Sequence, residues 1–336
     1  MKLALTTLAT LVAASDALAT PPRAACPKTP NWTGLKNIKH AFIFGDSYTQ
    51  TGFNFTQTPP SASNPLGNPP YPGWTSSNGP NWVGEFTVKY NVSKVLTYNL
   101  AYGGATVDSA LIAPYTPTVL SLKDQINTEF VPGYTGASPS APSAPKWTAK
   151  DSLFTIWIGI NDVGTLFWQP DTTLFDKVFV EYAALVNTLY AKGARNIAFI
   201  DVPPMDRSPG YIEAGTWNVD QAKIAVAGWK SRMAALAKNL KQSKPDVNLF
   251  IYSSAADFGK ALDNPAAFGQ TAGLKVLDKY CKDYQNGTPA KDTFIAACGV
   301  PVNQYFWRDS IHPTYPIHQV VAEQFVKTLG AGPNVC

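Results

Sequence analysis

The chain has 336 residues, 45% hydrophobic and 15% charged, with a formal net charge of +4. That is enough apolar material for one substantial core, and the low charge without a basic run argues against nucleic acid as a partner. The first apolar run, Leu3 to Ala14, is too short to cross a bilayer, and no later run reaches about 18 residues, so no membrane span is expected.

In chain order, residues 1–19 carry Lys2, that apolar run and then Ala17-Leu18-Ala19, the pattern of a secretory signal peptide. Residues 20–336 are expected to form a single domain of a secreted, extracellular protein. Short apolar runs rich in Val, Ile, Phe and Tyr occur at His40 to Phe44, Lys94 to Leu100, Leu153 to Ile158, Asn196 to Val202 and Val247 to Tyr252. Such runs suit parallel strands buried on both faces. Helical periodicity is expected over Trp82 to Tyr90, Val119 to Phe130, Leu174 to Lys192, Val219 to Leu240 and Ile317 to Leu329. The alternation predicts an α/β fold, a three-layer α/β/α sandwich around a mainly parallel five-stranded sheet, with ligands at the carboxyl ends of its strands. Thr58 to Pro80, crowded with Pro, Gly, Ser and Asn, and Pro132 to Pro145 are expected to be loops. The first carries Tyr71 and Trp74, whose flat faces make them candidates for sugar stacking.

Four cysteines suit an oxidising compartment and allow three pairings. The preferred one joins Cys26 to Cys336 across the termini and closes a local loop between Cys281 and Cys298. No cysteines show CxxC spacing, so no metal site is expected. Sequons at Asn31, Asn54, Asn91 and Asn286 are candidate glycosylation sites and agree with secretion.

Four blocks carry the chemistry: Phe44 to Gly52 (FGDSYTQTG), Asn99 to Thr106 (NLAYGGAT), Gly159 to Asp162 (GIND) and Asp309 to His312 (DSIH). Ser47 follows an apolar strand through Gly45 and Asp46, so a tight turn can lift its hydroxyl above the sheet edge. A serine needs a base to become nucleophilic. Of three histidines, His40 belongs to the opposite end of its strand and His318 falls within the last helix. His312 stands in a loop three residues after Asp309, the arrangement of a base oriented by a carboxylate. The backbone amides of Ser47 and Gly104 and the side-chain amide of Asn161 are candidate oxyanion donors. The GGAT segment lacks the Gly-Lys-Ser/Thr ending of a phosphate loop.

With these blocks in this order, the chain resembles the SGNH or GDSL hydrolases, in which Ser, Gly, Asn and His come from four blocks. Here they are Ser47, Gly104, Asn161 and His312, with Asp309 as the triad acid. Tyr48 stands where the name-giving form has Leu. The resemblance implies a flavodoxin-like sheet and a serine esterase. The segments FGDSYTQTGFN, NPLGNPPYPGWTSSNGPNWV, YNLAYGGATVD and WIGINDVG are more particularly similar to fungal acetylesterases of carbohydrate esterase family sixteen. That likeness implies removal of acetyl groups from acetylated oligosaccharides derived from hemicellulose, with no cofactor; the protein is expected to be a monomer. The alternative within the family is hydrolysis of lipid or longer-chain esters.

Overall fold

Five strands pair into one sheet in the computed structural model, which describes residues 26–27, 29–169 and 173–336; the expected signal peptide lies outside them. The strands are β1 (His40–Gly45), β2 (Leu96–Asn99), β3 (Ser152–Trp157), β4 (Asn196–Ile200) and β5 (Asn248–Tyr252). Their order is β2-β1-β3-β4-β5 and every neighbouring pair is parallel.

Nine α-helices accompany the strands among the described residues: α1 (Trp82–Glu85), α2 (Leu122–Asp124), α3 (Val131–Tyr134), α4 (Ile160–Leu166), α5 (Thr173–Ala191), α6 (Pro209–Glu213), α7 (Thr216–Ser243), α8 (Ser254–Asp263) and α9 (Tyr315–Ala331). The sheet's alternation divides them into two layers. On one face Phe42 and Phe154 stack, and Phe130 and Trp147 meet Phe154 edge-on; farther along, Phe199 meets Tyr182 of α5. Trp229 of α7 then packs on Phe175 and Phe179 of α5. On the other face Trp157 meets Trp82 of α1, which in turn meets Phe325 of α9. Trp82, Trp157 and Trp229 are fully buried, and a large apolar side chain so placed contributes about 1.5–3 kcal/mol.

Several elements differ from the sequence expectation. The segment Trp82 to Tyr90 is one α-turn followed by a π-helical stretch over Phe86–Tyr90, and α2 continues through a second π-helical stretch, Gln125–Phe130, into α3. Helix therefore runs through Pro132, inside the expected loop Pro132 to Pro145. Pro132 follows directly on the π-helical stretch, whose wider winding precedes the residue that lacks an N–H. The helices α4, α6 and α8 were not expected, because each is short and contains Gly or small polar residues that dilute the periodic signal.

Both disulfides join the expected partners: Cys26 to Cys336, with Cα atoms 5.3 Å apart, and Cys281 to Cys298, at 5.6 Å. The C-terminal segment also covers the edge of β5. Asn334 accepts the Ile251 amide at 2.8 Å and donates to the Ile251 carbonyl at 2.9 Å. An exposed sheet edge is thereby blunted.

Candidate active site

The strand order places β1 between β2 and β3, so the connection after β1 runs to one side and the connection after β2 crosses to the other, which opens a crevice between the carboxyl ends of β1 and β3. Ser47 lies two residues past β1, and Asn161 lies at the start of α4, which follows β3. The amides of Thr49 and Gln50 both donate to the Asp46 carbonyl, at 3.0 and 2.9 Å, which closes the turn that carries Ser47. Buried amide side chains fix this turn from several sides. Gln125 accepts the Gly45 amide at 2.9 Å and donates to the Gly45 carbonyl at 2.8 Å; Asn81 and Asn99 both donate to the Thr49 carbonyl, at 2.9 and 2.7 Å.

Ser47 Oγ lies 2.7 Å from His312 Nε2. Nδ1 of the same ring is 3.0 Å from each Asp309 oxygen. Asp309 Oδ1 also accepts the amides of Ile311 and His312, at 3.0 and 2.8 Å, while Oδ2 accepts Arg308 Nε at 3.1 Å. Burial by itself raises the pKa of Asp309, but the hydrogen bond from His312 and the charges of His312 and Arg308 outweigh it. The carboxyl is held well below the usual range. The DSIH loop is closed by the Arg308 amide donating to the His312 carbonyl at 2.8 Å. Tyr48, buried beneath it, donates its hydroxyl to the Ile311 carbonyl and packs on the His312 ring with centroids 5.5 Å apart.

Ser47, Gly104, Asn161 and His312 line one cavity of about 280 Å³. Asn161 Nδ2 donates one hydrogen to the Ala105 carbonyl at 2.9 Å, which fixes the amide and leaves its second N–H for a ligand. Gly104 has φ +84°, a conformation that favours glycine, and the ring of the exposed Tyr115 lies against its open face. The neighbouring Gly103 amide donates to Gln50 Oε1 at 2.6 Å, tying the GGAT loop to the serine turn. This arrangement can move a proton from Ser47 to His312 and offer N–H groups to an anionic oxygen.

Two further carboxyls lie under these loops. Burial, with the charge of Asp162, pushes Asp46 up to about 8 despite hydrogen bonds from backbone amides; burial likewise pushes Asp162 up to about 7. Asp46 accepts the Tyr48 amide at 3.0 Å and Asp162 accepts the Val107 amide at 3.1 Å. They anchor the first block and the end of the second.

The other histidines stand elsewhere. His40 begins β1, at the opposite end of the sheet, and His318 is buried in α9 with its ring 6.1 Å from that of Tyr48. Tyr71 and Trp74 do not line the cavity around Ser47. Tyr71 lines a neighbouring cleft, and Trp74 lines that cleft and another on the side of Gly103. Sequence reasoning did not single out Gln50, Ser76, Tyr115, Ile160 and Ile311, which do line the cavity. Gln50 and Ile311 fall within or beside recognised blocks; Ser76 and Tyr115 come from loops whose folding back has no local signature. The grouping of Cys281, Asp283 and Cys298 has the spacing of a metal site, but both sulfurs are committed to the disulfide.

The family model described as GDSL-like Lipase/Acylhydrolase matches residues 42–325. An acetylesterase of Thermothelomyces thermophilus is 39% identical over 266 residues, covering 79% of this chain and 83% of that protein. An acetylesterase of Hypocrea jecorina is 24% identical over 85% of this chain and 71% of its own length. Among solved structures, an acetylxylan esterase from Geobacillus stearothermophilus aligns over 88% of this chain and 96% of its own, at 15% identity and a TM-score of 0.42.

Proposed function

The chain belongs to the GDSL-like lipase/acylhydrolase family and is a carboxylic ester hydrolase, and on that premise we propose that it is a secreted serine acetylesterase acting on acetylated, hemicellulose-derived oligosaccharides. The observation that carries the catalytic assignment is the continuous contact from Ser47 Oγ to His312 Nε2 at 2.7 Å and from His312 Nδ1 to Asp309 at 3.0 Å.

In the proposed reaction, His312 Nε2 takes the Ser47 hydroxyl proton as Oγ attacks the acetyl carbonyl carbon. The oxyanion is held by the amides of Ser47 and Gly104 and the side chain of Asn161. Asp309 keeps the Nδ1–H tautomer and stabilises the imidazolium. His312 then returns the proton to the departing sugar oxygen, leaving acetyl on Ser47. Water, deprotonated by His312, attacks that acyl group and releases acetate and free Ser47.

The substrate reading is supported by likeness to two fungal acetylesterases. Secretion is supported by the two disulfides and by the leader-like segment at the start of the sequence. No helix among the described residues is long and apolar enough to cross a membrane. We take the working unit to be a monomer, and the reaction as written uses only groups of this chain and no cofactor.

The test is hydrolysis of p-nitrophenyl acetate, butyrate and octanoate by the protein and by Ser47→Ala. The reading expects a steep fall beyond acetate and loss of turnover in the variant. A preference for octanoate would replace it with the lipid-ester reading.

A further inference from the structure

We propose that the cleft adjoining the catalytic cavity, with Glu129 in its wall and Trp74, Tyr102 and Tyr115 around it, is a carbohydrate subsite holding a sugar ring next to the acetylated one. This rests on the oligosaccharide reading above and adds to it a specific place for the rest of the chain. The cleft has a volume of about 730 Å³, and Gln50, Gly103 and Tyr115 line both it and the cavity containing Ser47. A ligand can therefore reach from one to the other past those residues.

The lining matches a pyranose, which has apolar C–H faces and a rim of hydroxyls. Trp74, Tyr115 and Tyr102 are 73%, 81% and 39% exposed. One exposed aromatic is ordinary, whereas three around one opening make a patch that calls for a ligand. Trp74 is also fixed in advance. Its indole lies against Gly52, where a Cβ would come within 2.6 Å of the ring and φ is +76°, and its amide donates to the Thr51 carbonyl at 2.9 Å. A platform held at its base loses little freedom when a ring stacks on it.

Glu129 supplies a polar contact. It sits on the π-helical stretch after α2, and its carboxyl makes no hydrogen bond among the described residues. Burial, then the charge of Asp124, pushes it up to about 8, so near neutrality it is mostly the neutral acid. A neutral carboxyl both donates and accepts, as a sugar hydroxyl does.

The experiment measures kcat and KM for acetylated xylotriose, monoacetylated xylose and p-nitrophenyl acetate with wild type, Trp74→Ala and Glu129→Ala. Wild type should prefer the trimer to the monomer, and each variant should cut that preference roughly five- to twentyfold, mainly through KM. Trp74 is mostly exposed, so its removal tests the cleft even if Glu129→Ala fails to fold. If wild type hydrolyses both sugars and neither folded variant changes the trimer-to-monomer ratio, the subsite is refuted while the oligosaccharide reading stands. If wild type cleaves p-nitrophenyl acetate but neither sugar, the oligosaccharide reading itself fails, and the subsite with it.

Discussion

Replacing Asp309 with Asn removes a charge while keeping the shape, and the hydrogen-bond geometry determines the consequence. Oδ1 accepts two backbone amides at 2.8 and 3.0 Å, both oxygens face His312 Nδ1 at 3.0 Å, and Oδ2 accepts the Arg308 guanidinium. Every neighbour is a donor. An amide has one accepting oxygen, so its NH2 must face either Arg308 or the loop amides, with His312 within reach of both positions. In the first orientation a donor opposes a guanidinium. In the second, the NH2 favours the His312 tautomer with its proton on Nε2, which cannot take the proton of Ser47. The expected loss in kcat is about 10³–10⁴-fold, or roughly 4–5.5 kcal/mol of transition-state stabilisation. Loss of the partly buried charge pair should also lower stability by about 1–3 kcal/mol. Steady-state hydrolysis of p-nitrophenyl acetate, with a thermal melt on the same sample, separates the two effects. A variant that keeps kcat within about threefold of wild type would refute the orienting role of Asp309.

Asn161→Ala should lower kcat about 10²–10³-fold with little change in KM, because its free N–H bonds more strongly to the developing oxyanion than to the ground-state carbonyl; an effect confined to KM would contradict this. Tyr48→Phe keeps the ring against His312 but removes the hydroxyl that holds Ile311, and should reduce kcat more than it shifts KM. An unchanged kcat would show that ring packing alone holds the loop. Burial, with the nearby charges of His312 and Arg308, lowers His318 to about 3. Below about pH 6.5 the unfolded chain takes up a proton that the folded chain refuses, so stability is present above that pH and is lost as pH falls toward the folded value. Between pH 6.5 and about pH 4.5 wild type should therefore lose about 2–3 kcal/mol relative to His318→Leu, measured by denaturant melts; parallel losses would contradict it. In protein from a eukaryotic secretory host, peptide mass spectrometry should find higher glycan occupancy at the exposed Asn286 than at Asn91, whose amide donates to the Thr87 carbonyl; equal occupancy would show that this bond does not protect the site.

The sheet was legible because its strands are short apolar runs buried on both faces, and all five appear within a few residues of the expected bounds. The long helices α5, α7 and α9 were legible by periodicity, since each buries one apolar stripe against the sheet or a neighbouring helix. The small helix α8 was not, although Ser253 caps it by accepting the Ala256 amide; a serine before small residues gives little warning. At the site, Ser47, Gly104, Asn161, Asp309 and His312 stand in blocks with a readable order, and they line or adjoin one cavity. What the sequence withheld was support at long range. Gln125 reaches Gly45 across 80 residues and Tyr48 reaches Ile311 across 263. Tyr71 and Trp74 were chosen for flat apolar faces alone, a property that says nothing about distance from Ser47. Tyr115 reaches its clefts through a loop that no local pattern announces, and Glu129 stands on a stretch whose helical periodicity was readable but whose π winding was not.

The central claim is that ester cleavage passes through an acyl group on Ser47. Treating the native protein with a fluorophosphonate and mapping the adduct by peptide mass spectrometry, beside Ser47→Ala assayed on p-nitrophenyl acetate, tests it most directly. The account predicts one adduct, on Ser47, complete loss of turnover on labelling, and an inactive but folded variant. Turnover retained by folded Ser47→Ala, or an inactivating adduct on another residue, would contradict it.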